Sequence, residues 1–334
     1  MIFGAVPLDQ ALGAILAHSA ILPGGRLRKG TVLGPDDIAR LRGGGLAEVV
    51  VARPEPDDVP EDAAATRLAR ALVPDEAAAY LTCTQAFTGR VNLNAARPGI
   101  VEIDIAAIHA LNRIHPAITL ATLAPLTRVT PGLLTGTVKI ISYAVPGAAL
   151  AQAEHIAAGA IRIRPVARAT AALLLTEVPE QDAKLAAKGR RAIEGRLRAL
   201  GMRLVACQTV AHEVEPMAAA LRGMPGDLVM ILTGSATSDL HDTAPQAVRA
   251  AGGSVARFGI PVDPGNLLFL GALGTRPVIG LPGCARSPAL NGADWVLERL
   301  ACGLALTDED IAAMGVGGLL KEIPIRPQAR EPEG

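Results

Sequence analysis

A loop in the second half of the chain carries residue types that bind anions. Residues 233–242 read Thr-Gly-Ser-Ala-Thr-Ser-Asp-Leu-His-Asp and join an apolar run to a helical pattern. Backbone N–H groups and hydroxyls of this hydroxyl-rich loop could converge on a phosphate or another oxyanion, aided by the dipole of the next helix. An equally good alternative is that these residues make turns and that Asp242 caps the helix. No Gly-Lys-Ser/Thr follows, so the loop is not a Walker loop.

A second loop, residues 280–288, reads Gly-Leu-Pro-Gly-Cys-Ala-Arg-Ser-Pro and also joins a strand to a helix. Arg286 of this arginine loop could pair with a phosphate or carboxylate in a bidentate manner. Pro288 is expected early in the helix, where its missing N–H costs nothing. A nucleophilic Cys284 is disfavoured, because no general base can be located from the sequence.

Further candidates follow other predicted strands. Residues 261–267 form a turn whose backbone could face a ligand. His212, at a strand-to-helix junction beside Glu213, could be a base or a ligand contact, although a structural role is favoured; His241 is the better contact candidate. Lys184 and Lys188 share a helix face, which is typical of a solvated surface but near the strand ends could attract phosphate. No histidine spacing suggests a metal motif.

The elements that must position these loops alternate regularly from residue 169. We predict strands over residues 171–176, 203–209, 228–232, 254–261 and 277–281, and helices over residues 183–200, 213–221, 243–251 and 288–302. Short apolar strands between helices indicate an α/β fold with a mostly parallel, doubly wound sheet covered on both faces. In such a sheet, ligands bind beyond the carboxyl ends of the strands.

The first half lacks this alternation and is typical of an α+β domain. We predict strands over residues 48–51, 100–105, 118–121 and 137–143, and helices over residues 8–18, 35–42, 63–72, 106–112 and 148–159. Residues 88–94 are interpreted as a turn-rich surface in preference to a site. The predicted organisation is an α+β N-terminal domain of unknown role over residues 1–165, an α/β domain over residues 169–305, and an extension over residues 306–334 whose end is mobile.

Composition narrows the classes of function. The 334 residues suffice for two domains, and 32 basic residues balance 32 acidic ones. Zero net charge and only 2% aromatic residues argue against nucleic-acid binding. The isolated Cys83, Cys207, Cys284 and Cys302 predict neither a metal knuckle nor a disulfide framework. With no signal peptide and no long apolar run, we expect a cytoplasmic protein that is not in a membrane.

The loops, in this order, resemble the molybdenum-cofactor biosynthesis domain of molybdopterin adenylyltransferases and gephyrin-type molybdotransferases. Thr233, Gly234, Asp242 and Pro245 match the pattern Thr-Gly-Gly-Thr-Gly, three residues, Arg-Asp-Val-Thr-Pro. Residues 263–266 resemble Lys-Pro-Gly-Lys-Pro. Residues 280–287 resemble Gly-Leu-Pro-Gly-Asn-Pro-Val-Ser. The resemblance covers about residues 170–303, and residues 24–54 also look like the stretch that precedes this domain in molybdotransferases.

The arrangement is most similar to molybdopterin-binding proteins that often carry a fused cytidylyltransferase domain, whose Gly-rich opening is not found in this sequence. This sequence departs from the transferases at two positions where they carry an Asp. The Asp after their second strand aligns with the His212-Glu213 pair, and an Asp of their first helix aligns with Ala187, although Lys188 and Gly189 match. Adenylyl or molybdate transfer needs carboxylates that hold Mg²⁺ or polarise the oxyanion. Asp242 remains, and Asp239 and Glu213 are possible substitutes.

The resemblance implies binding of molybdopterin in cofactor biosynthesis or handling, with the terminal phosphate on the hydroxyl-rich loop and the arginine loop opposite. Alternatives are a Mg²⁺-dependent molybdopterin adenylyltransferase or molybdate-inserting transferase, a nucleotide or pyrophosphate hydrolase, and a non-enzymatic sensor. Relatives self-associate, so a homo-oligomer is expected, with a molybdoenzyme or cytidylyltransferase as a conceivable partner. Candidate catalytic residues are Asp242, Asp239 and Glu213, with Asp242 also the candidate metal ligand. Candidate ligand contacts are Thr233, Gly234, Ser235, Ala236, Thr237, Ser238, His241, His212, Gly265, Asn266, Pro282, Gly283, Cys284, Arg286 and Ser287.

Overall fold

The computed structural model describes residues 1–179 and 183–320. The chain divides into two compact units, one of residues 1–97 and 101–164, the other of residues 98–100 and residues from 165 onward. The predicted mobile end of the C-terminal extension lies outside the described residues. No helix in the described ranges has both the length and the apolar character needed to cross a bilayer.

The first 53 residues of the first unit pack around a small core of their own. Their elements are β1 (Ile2–Pro7), β2 (Ile15–Leu16), β3 (Ala20–Leu22), β4 (Gly25–Leu27), α1 (Pro35–Gly43) and β5 (Glu48–Arg53). A three-stranded sheet has the order β1-β5-β2, and Leu16, Leu33, Leu41 and Val51 lie in the buried cluster. The predicted helix over residues 8–18 is wrong. Only a 3-10 turn forms at Leu8–Gln10, because Gly13 has a φ of 73°, which no right-handed helix accommodates.

The segment of residues 54–165, most of which belongs to the first unit, is a mixture of short strands and helices around an aliphatic core. Its elements are β6 (Asp58–Pro60), α2 (Glu61–Leu72), α3 (Glu76–Ala79), β7 (Leu81–Cys83), β8 (Arg90–Ala95), β9 (Gly99–Ile103), α4 (Ile105–Ile114), β10 (Ile118–Thr122), β11 (Arg128–Val129), β12 (Leu134–Ile140), β13 (Ala144–Pro146), α5 (Gly147–Ala157) and β14 (Ile161–Pro165). The strands form sheets of order β10-β12-β8-β7, β11-β9-β14 and β13-β6.

The interpretation of residues 88–94 as a turn-rich surface is wrong for most of the segment. Thr88 and Gly89 have φ angles of 49° and 70° and make a tight turn. From Arg90 the chain is strand β8, in which Val91 and Leu93 are buried and alternate with more exposed residues. This alternation is the period-two pattern of a half-buried strand.

The second unit is a mixed α/β structure in which strands and helices alternate from β15 to β18, whereas β18, β19 and β20 follow one another without a helix between them. Its elements are β15 (Thr170–Glu177), α6 (Ala183–Ala199), β16 (Arg203–Ala211), α7 (Val214–Gly223), β17 (Leu228–Leu232), α8 (Thr243–Ala250), β18 (Ser254–Phe258), β19 (Phe269–Leu273), β20 (Arg276–Leu281), α9 (Gly292–Ala301) and α10 (Asp308–Ala313). Strand β19 and helix α10 were not predicted.

Six strands form one sheet in the order β16-β15-β17-β20-β19-β18. The first four are parallel, and β19 is antiparallel to both of its neighbours. Alternate residues of β15 and β17 enter two separate cores. One core contains residues of α6 and α9, and the other contains residues of α7 and α8. Helices therefore cover both faces of the sheet.

The predicted helix over residues 288–302 begins too early, and Pro288 lies outside it. A 3-10 turn at Gly283–Arg286 comes first, and α9 begins only at Gly292. Asn291 fixes this start: its side chain accepts from Ala293 N–H at 2.8 Å, while Asp294 accepts from the Asn291 N–H at 2.8 Å. This reciprocal pair is a capping box.

Candidate functional site

The candidate loops lie at one edge of the six-stranded sheet. The parallel strands β15, β16, β17 and β20 present their carboxyl ends there. Strand β18 also ends at this edge, because β18 and β20 are both antiparallel to β19. The hydroxyl-rich loop, the arginine loop, the residue 261–267 turn and the His212 junction therefore share the edge at which ligands bind in sheets of this kind.

Thr176, near the end of β15, joins two of the candidate segments. Its hydroxyl accepts a hydrogen bond from the Gly234 N–H at 2.8 Å and lies 2.9 Å from Nδ1 of His212. All contacts are satisfied when the hydroxyl proton is donated to Nδ1, which leaves the proton of the neutral ring on Nε2. The buried Thr176 side chain thus fixes both the entry to the hydroxyl-rich loop and the His212 ring.

His212 is held in its neutral form by its surroundings. Burial lowers the pKa of its imidazole below the ordinary value, and the nearby Asp242 carboxylate opposes this shift. A neutral ring at neutral pH can accept or donate a hydrogen bond, but it adds no positive charge to the site. The favoured structural role of His212 agrees with its bond to Thr176.

The hydroxyl-rich loop is held in shape by its own acidic side chains. Asp242 is the N-cap of α8: its Oδ1 accepts from the Thr243 N–H at 2.7 Å, and its Oδ2 accepts from the Ser238 N–H at 2.9 Å. Asp239 accepts from the His241 N–H at 2.7 Å. The capping role considered for Asp242 is therefore present, and both of its carboxylate oxygens already have donors.

The middle of the same loop has backbone donors to offer. Within residues 1–179 and 183–320, the N–H groups of Ser235, Ala236 and Thr237 donate to no acceptor. Ser235 and Ala236 are exposed, and Thr237 is 6% exposed. Consecutive N–H groups of this kind, just before a helix, can bind an anion.

Arg286 joins the two candidate loops. Its Nη2 donates to the Thr233 carbonyl at 2.6 Å, and its Nη1 lies 3.5 Å from the Gly283 carbonyl. Both acceptors are neutral, and among the described residues no carboxylate forms an ion pair with this guanidinium. Its buried Nε has no hydrogen-bond partner there, and burial lowers the pKa of Arg286 from its ordinary value. The side chain nevertheless stays cationic, since guanidinium is not deprotonated in proteins.

Helix α6 anchors the arginine loop from outside. The buried Arg196 pairs with Asp294, with Nε 2.7 Å from Oδ1. Its two terminal nitrogens donate to the carbonyls of Ala285 at 2.8 Å, Ser287 at 2.9 Å and Ala289 at 3.1 Å. One side chain of α6 thereby fixes the path of the loop that carries Arg286.

Two glycines of the family-like motifs are required by packing. A Cβ at Gly280 would lie 1.9 Å from the Phe269 ring, and one at Gly265, where φ is 133°, would lie 2.5 Å from the Gly292 nitrogen. Gly189 of α6 approaches the end of β17 in the same way, because its Cβ would lie 2.6 Å from Leu232 Cδ2. Packing between the strand-end loops therefore accounts for these three glycines, and none of them needs a ligand contact to explain it.

The predicted residues thus separate into two groups. Thr233, Gly234, His212, Gly283 and Arg286 are connected through Thr176 or through the Arg286 hydrogen bonds. Gly265 packs against Gly292 and Thr237 is buried, and most of the others are exposed or bond within their own loop. Glu213, His241, Cys284 and Asn266 are exposed, Pro282 and Ser287 take part in bonds within the arginine loop, and Lys184 and Lys188 lie on an exposed face of α6.

The carboxylates do not make a metal centre in the described parts of the chain. In residues 1–179 and 183–320, no group of three or more His, Cys, Asp or Glu residues could hold a metal ion. Magnesium needs near-octahedral oxygen ligands, usually including one or two free carboxylates. Asp242 has both oxygens bonded to backbone amides, so the residues present do not fit Mg²⁺.

Sequence reasoning missed Thr176, Arg196 and the packing role of Gly189. The sequence does contain an indication for Thr176, because it is the one hydroxyl residue at the end of the apolar run from Ala171 to Leu175. Arg196 also had one: it lies three residues after Ile193 and four before Leu200, on the buried face of α6. A charged residue on a buried face needs a partner, although the sequence does not say which.

Comparisons with known proteins give limited matches. A family model described as Domain of unknown function (DUF8806) matches residues 5–53, the same region that packs around its own core. No curated protein matches the sequence.

Two solved structures are similar at low levels. The crystal structure of molybdopterin biosynthesis moea protein from Pyrococcus horikosii is 14% identical, with a TM-score of 0.31, over 90% of this chain and 76% of that chain. A molybdenum cofactor biosynthesis protein from Pyrococcus furiosus is 11% identical, with a TM-score of 0.23, over 90% of this chain and 61% of that one. TM-scores this low do not establish a common fold.

Proposed function

We propose that this protein binds molybdopterin at the carboxyl edge of the six-stranded sheet and acts in biosynthesis or handling of the molybdenum cofactor. The terminal phosphate is accepted by the N–H groups of Ser235, Ala236 and Thr237 and by Arg286. The arginine loop forms the opposite wall. We also assign the six-stranded sheet to the doubly wound class, supported by the helices on both of its faces.

The observation that carries the proposal is the Arg286 bond to the Thr233 carbonyl, at 2.6 Å. It joins two strand-end loops, each of which resembles a molybdenum-cofactor motif. A cation that contacts the start of the hydroxyl-rich loop, two residues before amides that lack an acceptor, is suited to a phosphate monoester. The pterin ring system would extend along the same edge.

Binding is favoured over adenylyl or molybdate transfer. Transfer chemistry of this class needs carboxylates that are available to a metal ion or to the reacting oxyanion. Both carboxylate oxygens of Asp242 and one of Asp239 accept from backbone amides, and Glu213 is exposed at the start of α7, away from these two side chains in the sequence and with no bond to the helix end. These contacts support a binding site whose acidic residues shape the loop.

The test is a direct titration of the full chain with molybdopterin under anaerobic conditions. Arg286→Gln removes the proposed cation, Asp242→Ala removes the bonds that shape the loop, and Thr209→Val on the exposed edge strand β16 is the control. We expect micromolar or tighter binding to the wild type, unchanged in Thr209→Val and weaker in the other two.

Absence of binding to a folded wild-type protein would contradict the proposal. Turnover with Mg-ATP or molybdate added to the same mixture would show that the site transfers as well as binds. Binding that is equal in all four proteins would move the ligand to another part of the chain.

A further inference from the structure

Arg286 differs from the motif that its loop resembles. The arginine loop reads Gly-Leu-Pro-Gly-Cys-Ala-Arg-Ser, and the residue in the family-like pattern at that position is Val. A neutral residue has thus been replaced by a permanent positive charge at the wall of the candidate site. The same sequence lacks an Asp at the position aligned with Ala187.

The charge of Arg286 is uncompensated in the described parts of the chain. Arg190, Arg196 and Arg257 each lie within 2.8 Å of a carboxylate oxygen, whereas Arg286 bonds only to two backbone carbonyls. A guanidinium has five N–H donors, so two such bonds leave others to satisfy. A partly buried cation without a counter-ion is costly unless an anion completes it.

Two carboxylates at this edge, those of Asp242 and Asp239, accept hydrogen bonds from backbone amides, and residues 1–179 and 183–320 contain no group of three or more metal-ligating side chains. Asp242 accepts from Ser238 and Thr243, and Asp239 accepts from His241. Recruiting Asp242 to a magnesium ion would release the N-cap of α8 and the Ser238 bond together. The positive charge that a phosphate needs is therefore supplied by an arginine and not by carboxylate-bound metal.

We propose that this site binds a phosphate monoester without a divalent cation, with the Arg286 guanidinium and the Ser235–Thr237 amides as its donors. The proposal rests on the proposed function for the identity of the pterin, but its chemistry concerns the phosphate alone. Ligand binding replaces one or both carbonyl contacts of Arg286, so the guanidinium turns towards the phosphate oxygens.

The experiment compares wild type, Arg286→Gln, Arg286→Lys and the control Arg190→Gln, whose arginine is exposed on α6. Each protein is titrated with molybdopterin and separately with inorganic phosphate, in EDTA and in millimolar Mg²⁺. Urea unfolding of each variant establishes that it is folded. If Arg286→Gln fails to fold, Arg286→Lys, which keeps the charge and loses the planar fork, provides the comparison.

We expect the affinity of the wild type to agree within about twofold with and without Mg²⁺. Removal of a charged hydrogen bond of about 1.5–3 kcal/mol should weaken binding about 10- to 150-fold in Arg286→Gln. Arg286→Lys should lie in between, and Arg190→Gln should match the wild type. Abolition of binding by EDTA, or equal affinity of wild type and Arg286→Gln, overturns the proposal.

The two ligands separate this proposal from the proposed function. Phosphate binding that is insensitive to EDTA and sensitive to Arg286, with no molybdopterin binding, supports the metal-free anion site and contradicts the function. Molybdopterin binding that requires Mg²⁺ does the reverse. Absence of binding by either ligand overturns both.

Discussion

The two loops at the carboxyl edge of the sheet are held in place by different means. The hydroxyl-rich loop is shaped mainly by its own side chains, Asp239 and Asp242, which bond to amides within four residues of themselves. The arginine loop is fixed by Arg196, which comes from a helix about 90 residues earlier in the chain. The local bonds leave amides of the first loop without an acceptor, whereas the backbone carbonyls of the second loop are held by a side chain from a distant helix.

The largest change in the free energy of unfolding is expected from Arg196, which holds the arginine loop. Arg196→Ala removes the ion pair with Asp294 and the donor of three backbone carbonyls, so we expect a loss of about 3–5 kcal/mol in the free energy of unfolding. Urea unfolding measures the loss. Arg198→Ala, at an exposed position of the same helix, should change stability by no more than about 0.5 kcal/mol. Equal effects of the two substitutions would show that α6 does not anchor the arginine loop.

A smaller effect on the free energy of unfolding is expected at Thr176, whose hydroxyl connects β15 to the start of the hydroxyl-rich loop. Thr176→Val keeps the shape of the side chain but removes the hydroxyl that the Gly234 N–H and the His212 ring share. An unsatisfied, partly buried donor costs about 1–3 kcal/mol. Urea unfolding beside Thr209→Val gives the difference. A Thr176→Val protein as stable as the wild type would mean that the loop does not depend on this hydroxyl.

Loss of the N-cap of α8 should lower the free energy of unfolding by a smaller amount. Asp242→Ala removes the bonds to Thr243 and Ser238, for an expected loss of about 1 kcal/mol, within the usual range for N-caps. Asp242→Asn should recover most of it, because Asn is also a good N-cap. If Asn and Ala were equally destabilising, the charge of Asp242 and not its capping geometry would be the important property.

The smallest effect is a pH dependence of the free energy of unfolding that comes from His212. Since folding lowers the pKa of His212, the unfolded chain takes up a proton more readily, and the neutral ring stabilises the fold fully only above the ordinary histidine pKa of about 6.5. The free energy of unfolding should fall as the pH drops below that value. His212→Asn should lose this part of the pH dependence, while His241→Asn, at an exposed position, should retain it. Identical pH profiles for the wild type and His212→Asn would contradict this assignment.

The sequence predicted the elements that depend on local pattern. The apolar strands β15 and β17, helix α6 and the helix N-cap at Asp242 follow from periodicity and capping chemistry, and they are present within one or two residues. The predicted start of α9 is wrong, because Pro288 is typical of a first helical turn and its local signal hides the capping box formed by Asn291 and Asp294. Residues 8–18 were misassigned because apolar spacing alone does not reveal the left-handed conformation of Gly13.

The candidate site was predictable as a set of strand-end loops, but its connections were not. The bonds of Thr176 to Gly234 and of Arg196 to the arginine loop span 58 to 93 residues, and no local pattern specifies such partners. The Arg286 bond to Thr233 spans 53 residues and belongs to the same class. Residue type indicated that these side chains could bind something; only the fold determines what.

The proposed function requires that the hydroxyl-rich loop and the arginine loop bind one phosphate between them. A crystal structure of the full chain with molybdopterin would show whether they do. We predict the phosphate oxygens within hydrogen-bonding distance, about 3 Å, of the Arg286 guanidinium and of at least two amides among Ser235, Ala236 and Thr237. A molybdopterin bound elsewhere, with Arg286 still donating to the Thr233 carbonyl, would contradict the claim.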